Sequence, residues 1–180
     1  MVADSCTSII RTDRPGAAGR FIEWLAEFSP RGLRRLAIQD SECQRRPAAD
    51  AARDGRVRAL RAKLAARMNG EDAGMRWNEF DLRGHPDFHL RVWKAMHALP
   101  FGTVATYGEV ADEAGSPLAF RACGQACGTN PVILFIPCHR VVASSGLGGF
   151  GCGLEWKKLF LRLEGVEKYE VRKTKCEVNA

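Results

Sequence analysis

The sequence predicts a mixed α/β protein, of the α+β kind, in which the second half is more regular than the first. A candidate strand lies between candidate helices in the first 80 residues. Apolar residues recur at helical spacing in the second half, and a short apolar run, residues 132–136, interrupts that pattern. With 180 residues, the chain is long enough for one large or two small domains.

The N-terminal half contains three candidate elements. Apolar residues at helical spacing in residues 21–28 predict a short helix that ends near Pro30. Residues 32–38 read as a strand. Residues 48–68 are rich in Ala, Arg, Leu and Lys and predict an amphipathic helix that ends at Asn69 and Gly70. Its apolar face consists of Val57, Leu60, Leu64 and Met68.

The second half predicts four helices and one buried strand. Residues 88–99 form the first helix, and Thr106 caps a second that extends to Gly115. Ser116 caps a third helix over residues 118–127, and residues 154–163 form the last. The second and third are separated by a tight glycine turn, which is a helix-turn-helix pattern. The third helix is rich in small residues, which indicate either tight helix packing or close approach to DNA: Ala119, Ala122, Gly124, Ala126 and Gly128.

Glycines and a proline within residues 69–86 indicate a domain junction. We therefore expect an N-terminal α/β domain over 1–80, a second domain over 81–167 and a charged tail over 168–180. Residues 87–167 hold 7 basic and 7 acidic side chains, so the net charge of +6 lies elsewhere. If this region binds nucleic acid, a few placed groups must do it rather than a broad basic surface.

Seven cysteines, an odd number, and no recognisable secretion signal predict reduced thiols in an intracellular, cytoplasmic protein, or a nuclear one in a eukaryote. No apolar run is long enough for a membrane span. We expect no metal and no cofactor. A zinc site formed by Cys6, Cys43 and His85 is the alternative, although no Cys-x-x-Cys pair supports it.

Cys138 and His139 form the most informative pair in the chain. Residues 132–136 predict a buried strand, and Pro137 ends it, so the pair is placed where the strand gives way to a turn. A thiol beside an imidazole is a common route to a nucleophilic thiolate. Most cysteines are inert packing residues, which is the alternative interpretation. Glu164 shares the apolar helix face of Phe160 and needs a partner, for which His139 is the natural candidate.

Five short motifs together resemble the O6-alkylguanine-DNA alkyltransferase family, and the resemblance is strong over 87–167 and weak over 1–80. They are Phe-Gly-Thr-Val-Ala-Thr-Tyr at 101–107, Arg-Ala-Cys-Gly at 121–124, Asn-Pro at 130–131, Pro-Cys-His-Arg-Val-Val at 137–142 and Glu-Gly at 164–165. The resemblance implies a ribonuclease-H-like N-terminal domain and a mostly helical second domain with a winged-helix-like helix-turn-helix. It also implies a monomer that binds double-stranded DNA containing O6-alkylguanine.

The family resemblance implies direct repair, in which a flipped O6-alkylguanine, or O4-alkylthymine, passes its alkyl group to the protein once. By resemblance Cys138 is the acceptor, His139 its base through a water, and Glu164 the residue that orients His139. Asn130 would hold the hydrogen-bond network, and Tyr107 would donate to the leaving oxygen.

Further residues are implied to line the base pocket or to lie on DNA, with Arg121 filling the gap left by the flipped base. The implied pocket residues are Val141, Phe150 and Gly151. The implied DNA contacts are Arg121, Tyr107, Gly108, Ser116, Ala122, Gly124 and Ser144.

The sequence departs from the family pattern at three places. Phe150 stands where many members have tyrosine, Gly128-Thr129 replaces a more basic pair, and the glycine-rich loop 146–153 is slightly shorter than in other members. Three other functions fit parts of the sequence: a lesion-binding relative without activity, a helix-turn-helix regulator and a thiol hydrolase. A regulator would prefer one undamaged sequence, and a hydrolase would turn over many times, whereas an alkyl acceptor is consumed.

Overall fold

The computed structural model describes residues 5–13, 21–39 and 54–167, and it confirms a mixed α and β fold. The elements in chain order are β1 (Cys6–Asp13), β2 (Phe21–Ser29), β3 (Gly32–Gln39), α1 (Gly55–Met68), α2 (Asp87–Ala98), β4 (Ala105–Thr106), α3 (Tyr107–Glu113), α4 (Phe120–Gly128), β5 (Val141–Val142) and α5 (Leu154–Leu163). Short 3₁₀ turns lie at Trp77–Glu79 and Cys138–Arg140. Among the described helices, none is both long enough and apolar enough to cross a bilayer.

The N-terminal part is an antiparallel sheet in the order β1-β2-β3, with α1 packed on it. The predicted strand at 32–38 is confirmed as β3. The predicted helix at 21–28 is wrong, because this segment is β2. Every second residue of this segment is buried, which is the side-chain period of a β-strand with one face on the core. The buried residues are Ile22, Trp24, Ala26 and Phe28.

The predicted helix at 48–68 is confirmed from Gly55 onward, and residues 48–53 lie outside the described part. All four residues of its predicted apolar face are buried. Asp54 caps the helix by accepting a hydrogen bond from the amide of Arg56 at 2.8 Å. The helix ends as predicted at Asn69, followed by Gly70 with φ 80°.

The helices of the second half agree with the prediction except at the start of α4. The Thr106 hydroxyl caps α3 by accepting from the amide of Glu109 at 3.0 Å. The predicted helix start at Leu118, capped by Ser116, is wrong. Ser116 instead opens a turn closed by the Ala119 amide on its carbonyl at 3.1 Å. Leu118 has φ 71° in this turn, outside the helical region, so α4 begins only at Phe120.

The predicted strand at 132–136 is also wrong, although every one of its five residues is buried. The segment forms consecutive turns, and Leu134 has φ 73°. Its backbone bonds are local, such as the Ile136 amide to the Val132 carbonyl at 3.0 Å, or reach Leu36 of β3. The backbone N–H and C=O groups of a buried apolar segment must be hydrogen-bonded, and turns can pair them as well as neighbouring strands of a sheet do. Cys138 therefore follows a buried turn rather than a strand.

One apolar core joins the two halves of the described chain. Trp24 of β2 is fully buried, stacks on Phe160 of α5 with ring centres 6.2 Å apart, and donates to the Thr12 hydroxyl at 2.9 Å. A bridge between Leu36 and Val132 adds a backbone link. The N-terminal sheet thus supports the helix that ends at Glu164. The division into domains at residue 80 stays a prediction, as do the ribonuclease-H-like and winged-helix-like types.

Replacing Trp24 with alanine should lower the free energy of unfolding by about 3–5 kcal/mol, since it leaves a large cavity between β2 and α5. Denaturant titration of the full chain measures this loss. Leu154→Ala is the control, because Leu154 is 44% exposed and its loss should cost less than about 0.5 kcal/mol. An equally small effect of Trp24→Ala would contradict a shared core.

Candidate active site

The 3₁₀ turn Cys138–Arg140 presents the site, and all three of its residues are buried. Directly after it, β5 pairs in parallel with β4, which fixes the turn against the start of α3. The turn follows the irregular segment 132–136, whose side chains anchor it in the core. The turn thus holds Cys138 and His139 side by side in the chain and buried, and that their side chains act together stays a prediction.

The Cys138 thiol lies beside the side-chain amide of Asn130. The Asn130 Nδ2 donates to Sγ at 3.1 Å and to the carbonyl of Ile136 at 2.7 Å. Its Oδ1 accepts from the Val132 amide at 3.1 Å, so the amide is held on both sides. Burial raises the pKa of Cys138 to about 11, and the bond from Asn130 only partly opposes this. The resting group is therefore a neutral thiol that needs a base.

His139 has the properties of that base. Its ring is completely buried, and Nε2 lies 2.9 Å from Oε1 of Glu164. Burial lowers the pKa of His139, with Arg140 and Arg67 adding to the effect, so the imidazole is neutral at pH 7. Since the carboxylate can only accept, Nε2 carries the hydrogen. The other nitrogen, Nδ1, has no hydrogen-bond partner among the described residues and keeps its lone pair free to take a proton.

Glu164 is the charged centre of the site. Arg140 donates to both carboxylate oxygens at 2.8 Å, and the Gly102 amide approaches Oε2 at 3.3 Å. Arg67 of α1 lies 3.8 Å from Oε1. Burial on its own would raise the pKa of Glu164, but the bonds from His139 and Arg140 outweigh it and lower the pKa to about 2. The carboxylate is thus ionised under all ordinary conditions.

Tyr107 and the glycine-rich loop lie on the other side of the site. The Tyr107 hydroxyl is 3.5 Å from the Gly149 carbonyl, and burial raises the pKa of Tyr107, so the hydroxyl stays protonated. Gly148 has φ 70°, and a Cβ there would lie 3.0 Å from the Tyr107 ring. Glycine is therefore required for the loop to approach this ring.

The predicted pocket residues differ in exposure. Val141 is fully buried, Phe150 is half-buried with its ring 6.2 Å from that of Phe160, and Gly151 is exposed. His139 also contacts Phe160, with ring centres 5.4 Å apart. Phe160 therefore packs against both the glycine-rich loop, through Phe150, and the His139 ring.

Lys157, Arg140 and Arg67 support the site, and sequence reasoning gave none of them a role. Lys157 is fully buried and donates to three carbonyls, of Val141 at 2.6 Å, Leu147 at 2.6 Å and Gly149 at 3.0 Å. Burial lowers its pKa to about 8. A signal for it existed: on α5 position 157 lies three residues before Phe160, on the apolar face.

The predicted nucleic-acid contacts lie mostly on α3, α4 and the turn between them. Arg121 is exposed, and its guanidinium carbon is 5.9 Å from the ring centre of Phe120. Gly124 faces the Tyr107 ring at ordinary contact distance. Ser144 is exposed on the loop after β5, away from the helix pair in sequence. The remaining predicted contacts, Gly108, Ser116 and Ala122, are half-buried.

The described residues contain no group of three or more side chains suited to hold a metal ion. Of the alternative zinc ligands, Cys43 lies outside the described residues. His85 packs edge-on against Trp93, with ring centres 4.8 Å apart. Nothing in its surroundings indicates a ligand role.

Comparisons with known proteins point to one family. The family model described as 6-O-methylguanine DNA methyltransferase, DNA binding domain, matches residues 87–166. The methylated-DNA–protein-cysteine methyltransferase of Mycobacterium tuberculosis H37Rv is 45% identical over 111 residues, which cover 61% of this chain and 64% of that protein. Its counterpart in Methanosarcina barkeri is 46% identical over 89 residues, 47% of this chain and 56% of that protein. The chain thus matches less than two thirds of the length of these curated relatives.

Solved structures match over a longer stretch. The crystal structure of Mycobacterium tuberculosis OGT in complex with DNA superposes with a TM-score of 0.69 at 35% identity, over 87% of this chain and 91% of that one. An O6-methylguanine DNA methyltransferase from Methanococcus jannaschii matches with a TM-score of 0.63 at 27% identity, over 93% and 98%. On this similarity of sequence and fold, the chain belongs to the O6-methylguanine-DNA methyltransferase family.

Proposed function

We propose that this protein repairs DNA by moving the alkyl group of O6-alkylguanine, and of O4-alkylthymine, onto Cys138. The observation that carries the proposal is the buried, hydrogen-bonded pair of His139 and Glu164 directly after the buried Cys138, in a member of this family. The thiol has a neutral imidazole next to it in sequence, and an ionised carboxylate fixes the ring nitrogen that keeps its lone pair.

The proposed step balances in atoms and electrons without a cofactor. The Cys138 sulfur attacks the alkyl carbon, a C–S bond forms, and the bond from that carbon to guanine O6 breaks. The thiol proton passes to Nδ1 of His139 through a water, the departing guanine takes up one proton from solvent, and the His139 imidazolium afterwards returns its proton to solvent. Tyr107 supplies the hydrogen bond to the leaving group, since its hydroxyl remains protonated. The product thioether has no route back to a thiol, so each chain acts once.

DNA binding is proposed for the surface of α3 and α4. This surface would lie in the minor groove, where small side chains allow close approach and Arg121 enters the stack as the alkylated base flips out. Contacts to the phosphate backbone are assigned to Tyr107, Gly108, Ser116 and Ser144, and close approach in the groove to Ala122 and Gly124. The base pocket is assigned to Val141, Phe150 and Gly151. All groups of the proposed step come from one chain, so we propose a monomer, with residues 81–167 as its reactive part.

Incubation with a duplex containing O6-methylguanine should raise the intact mass of the full chain by one methylene unit. The gain should saturate at one per chain and map to the peptide that holds Cys138. Cys138→Ala should bind the alkylated duplex without gaining mass. Transfer by Cys138→Ala would overturn the assignment. Tight lesion binding with no mass gain in the unmodified protein would indicate a damage sensor, and repeated turnover would indicate a hydrolase.

Removing the base or the residue that orients it should slow transfer without preventing duplex binding. His139→Phe and Glu164→Gln should each lower the single-turnover rate by roughly 10²–10⁴-fold, the range expected for acid–base groups. Rapid-quench measurement of the alkylated protein gives the rates, and far-UV circular dichroism confirms that each variant is folded. A folded His139→Phe protein with a normal rate would exclude His139 as the base.

The pH dependence of the rate should identify the proton acceptor. Because burial lowers the pKa of His139, the acid-side decline of the transfer rate should fall at a lower pH than the titration of an ordinary histidine. Because the pKa of Cys138 is raised to about 11, His139→Phe should rely on direct ionisation of the thiol. Its residual rate should then rise about tenfold per pH unit between pH 7 and pH 9. A flat profile for this variant would contradict the assignment.

A further inference from the structure

Large apolar side chains are exposed at one end of the proposed DNA surface. Only three large apolar residues are classed as exposed within the described ranges: Leu118 at 89%, Phe120 at 50% and Leu154 at 44%. Two of the three lie within three residues of Arg121, at the start of α4. On ordinary protein surfaces, exposed apolar side chains are scattered singly rather than clustered in this way.

The turn that presents Leu118 does not favour leucine. Pro117 occupies the second position of the turn and Leu118 the third, and the Ala119 amide closes it on the Ser116 carbonyl at 3.1 Å. Leu118 has φ 71°, a conformation that such turns usually give to glycine or asparagine. A leucine that is strained in its backbone and exposed in its side chain contributes little to folding, and such strained residues cluster at functional sites.

Phe120 is coupled to Arg121. The guanidinium carbon lies 5.9 Å from the centre of the Phe120 ring, so the cation and the ring project from the helix together. Between Ser116 and Gly128 the sequence contains no acidic residue, and Arg121 is its one charged residue. This segment therefore carries no negative charge of its own toward the phosphates of a groove.

We propose that Leu118 and Phe120 form an apolar wedge that enters the base stack beside Arg121 and helps to hold the duplex open around the flipped nucleotide. The occupant of this patch is thus the unstacked base step of duplex DNA. Leucine and phenylalanine are among the side chains that proteins insert between base steps from the minor groove, and an aromatic ring stacks on any base. The proposal rests on the proposed function and adds two residues to base extrusion.

The test compares substrates that differ in the cost of opening the duplex. The variants are Leu118→Ala, Phe120→Ala and the double variant, with Leu154→Ala as a matched control for loss of an exposed apolar side chain. Transfer is followed by intact mass on three substrates: a duplex with O6-methylguanine opposite cytosine, the same duplex with an abasic site opposite the lesion, and free O6-benzylguanine base.

The double variant should react about tenfold or more slowly on the paired duplex, and it should recover most of this loss on the abasic duplex, where extrusion is easier. Its rate on the free base, like every rate of Leu154→Ala, should stay within about twofold of the unmodified protein, because the transfer chemistry is untouched. An unchanged rate on the paired duplex would overturn the wedge. So would an equal loss on all three substrates, which would indicate a damaged pocket.

A second readout separates this proposal from the proposed function. In the Cys138→Ala background no transfer occurs, and the fluorescence of 2-aminopurine placed beside the lesion reports unstacking directly. Adding Leu118→Ala and Phe120→Ala should reduce the fluorescence rise at saturating protein. An undiminished rise would reject the wedge even if Cys138 accepts alkyl groups. A failure of the unmodified protein to gain mass on any substrate would reject the proposed function instead.

Discussion

The buried carboxylate of Glu164 is the constraint on which the site depends. A charge at this depth must be paired, and Arg140 pairs it through two hydrogen bonds while His139 occupies the remaining direction on Oε1. Arg67 brings a second guanidinium near the same oxygen. Burial lowers the pKa of His139, and the two guanidiniums add to this effect while Glu164 opposes it, so the imidazole stays neutral. The same cluster thus orients the imidazole and sets its protonation state.

The need to pair the Glu164 carboxylate brings together residues from distant parts of the chain. The carboxylate is contributed by the end of α5, its partners by the 3₁₀ turn, by α1 and by the amide of Gly102. Trp24 of the N-terminal sheet stacks on Phe160, one helical turn before Glu164. The sheet is far from the thiol in sequence, yet it supports the helix that carries the charge. Packing at β2 therefore contributes to the position of the base.

Local patterns predicted most helices but failed where two periods fit the same residues. In residues 21–28 the apolar positions match a helix at Leu25 and Phe28 and a strand at Trp24, Ala26 and Phe28, and pairing with β1 and β3 favoured the strand. In the site, the adjacent Cys138 and His139 were visible from sequence because one motif holds them. The roles of Arg67 and Lys157 were not, since only tertiary packing distinguishes a buried cation from a surface one.

Lys157 bears on which atom accepts the alkyl group in the proposed reaction. A buried amine with a pKa near 8 beside a reactive pocket would normally compete as a nucleophile. Here the ammonium has three hydrogens, and three backbone carbonyls accept all of them. To expose a lone pair the nitrogen would have to lose a proton and leave one carbonyl without its donor. In the proposed reaction, this match of donors and acceptors keeps the Lys157 nitrogen from reacting and leaves the Cys138 sulfur as the alkyl acceptor.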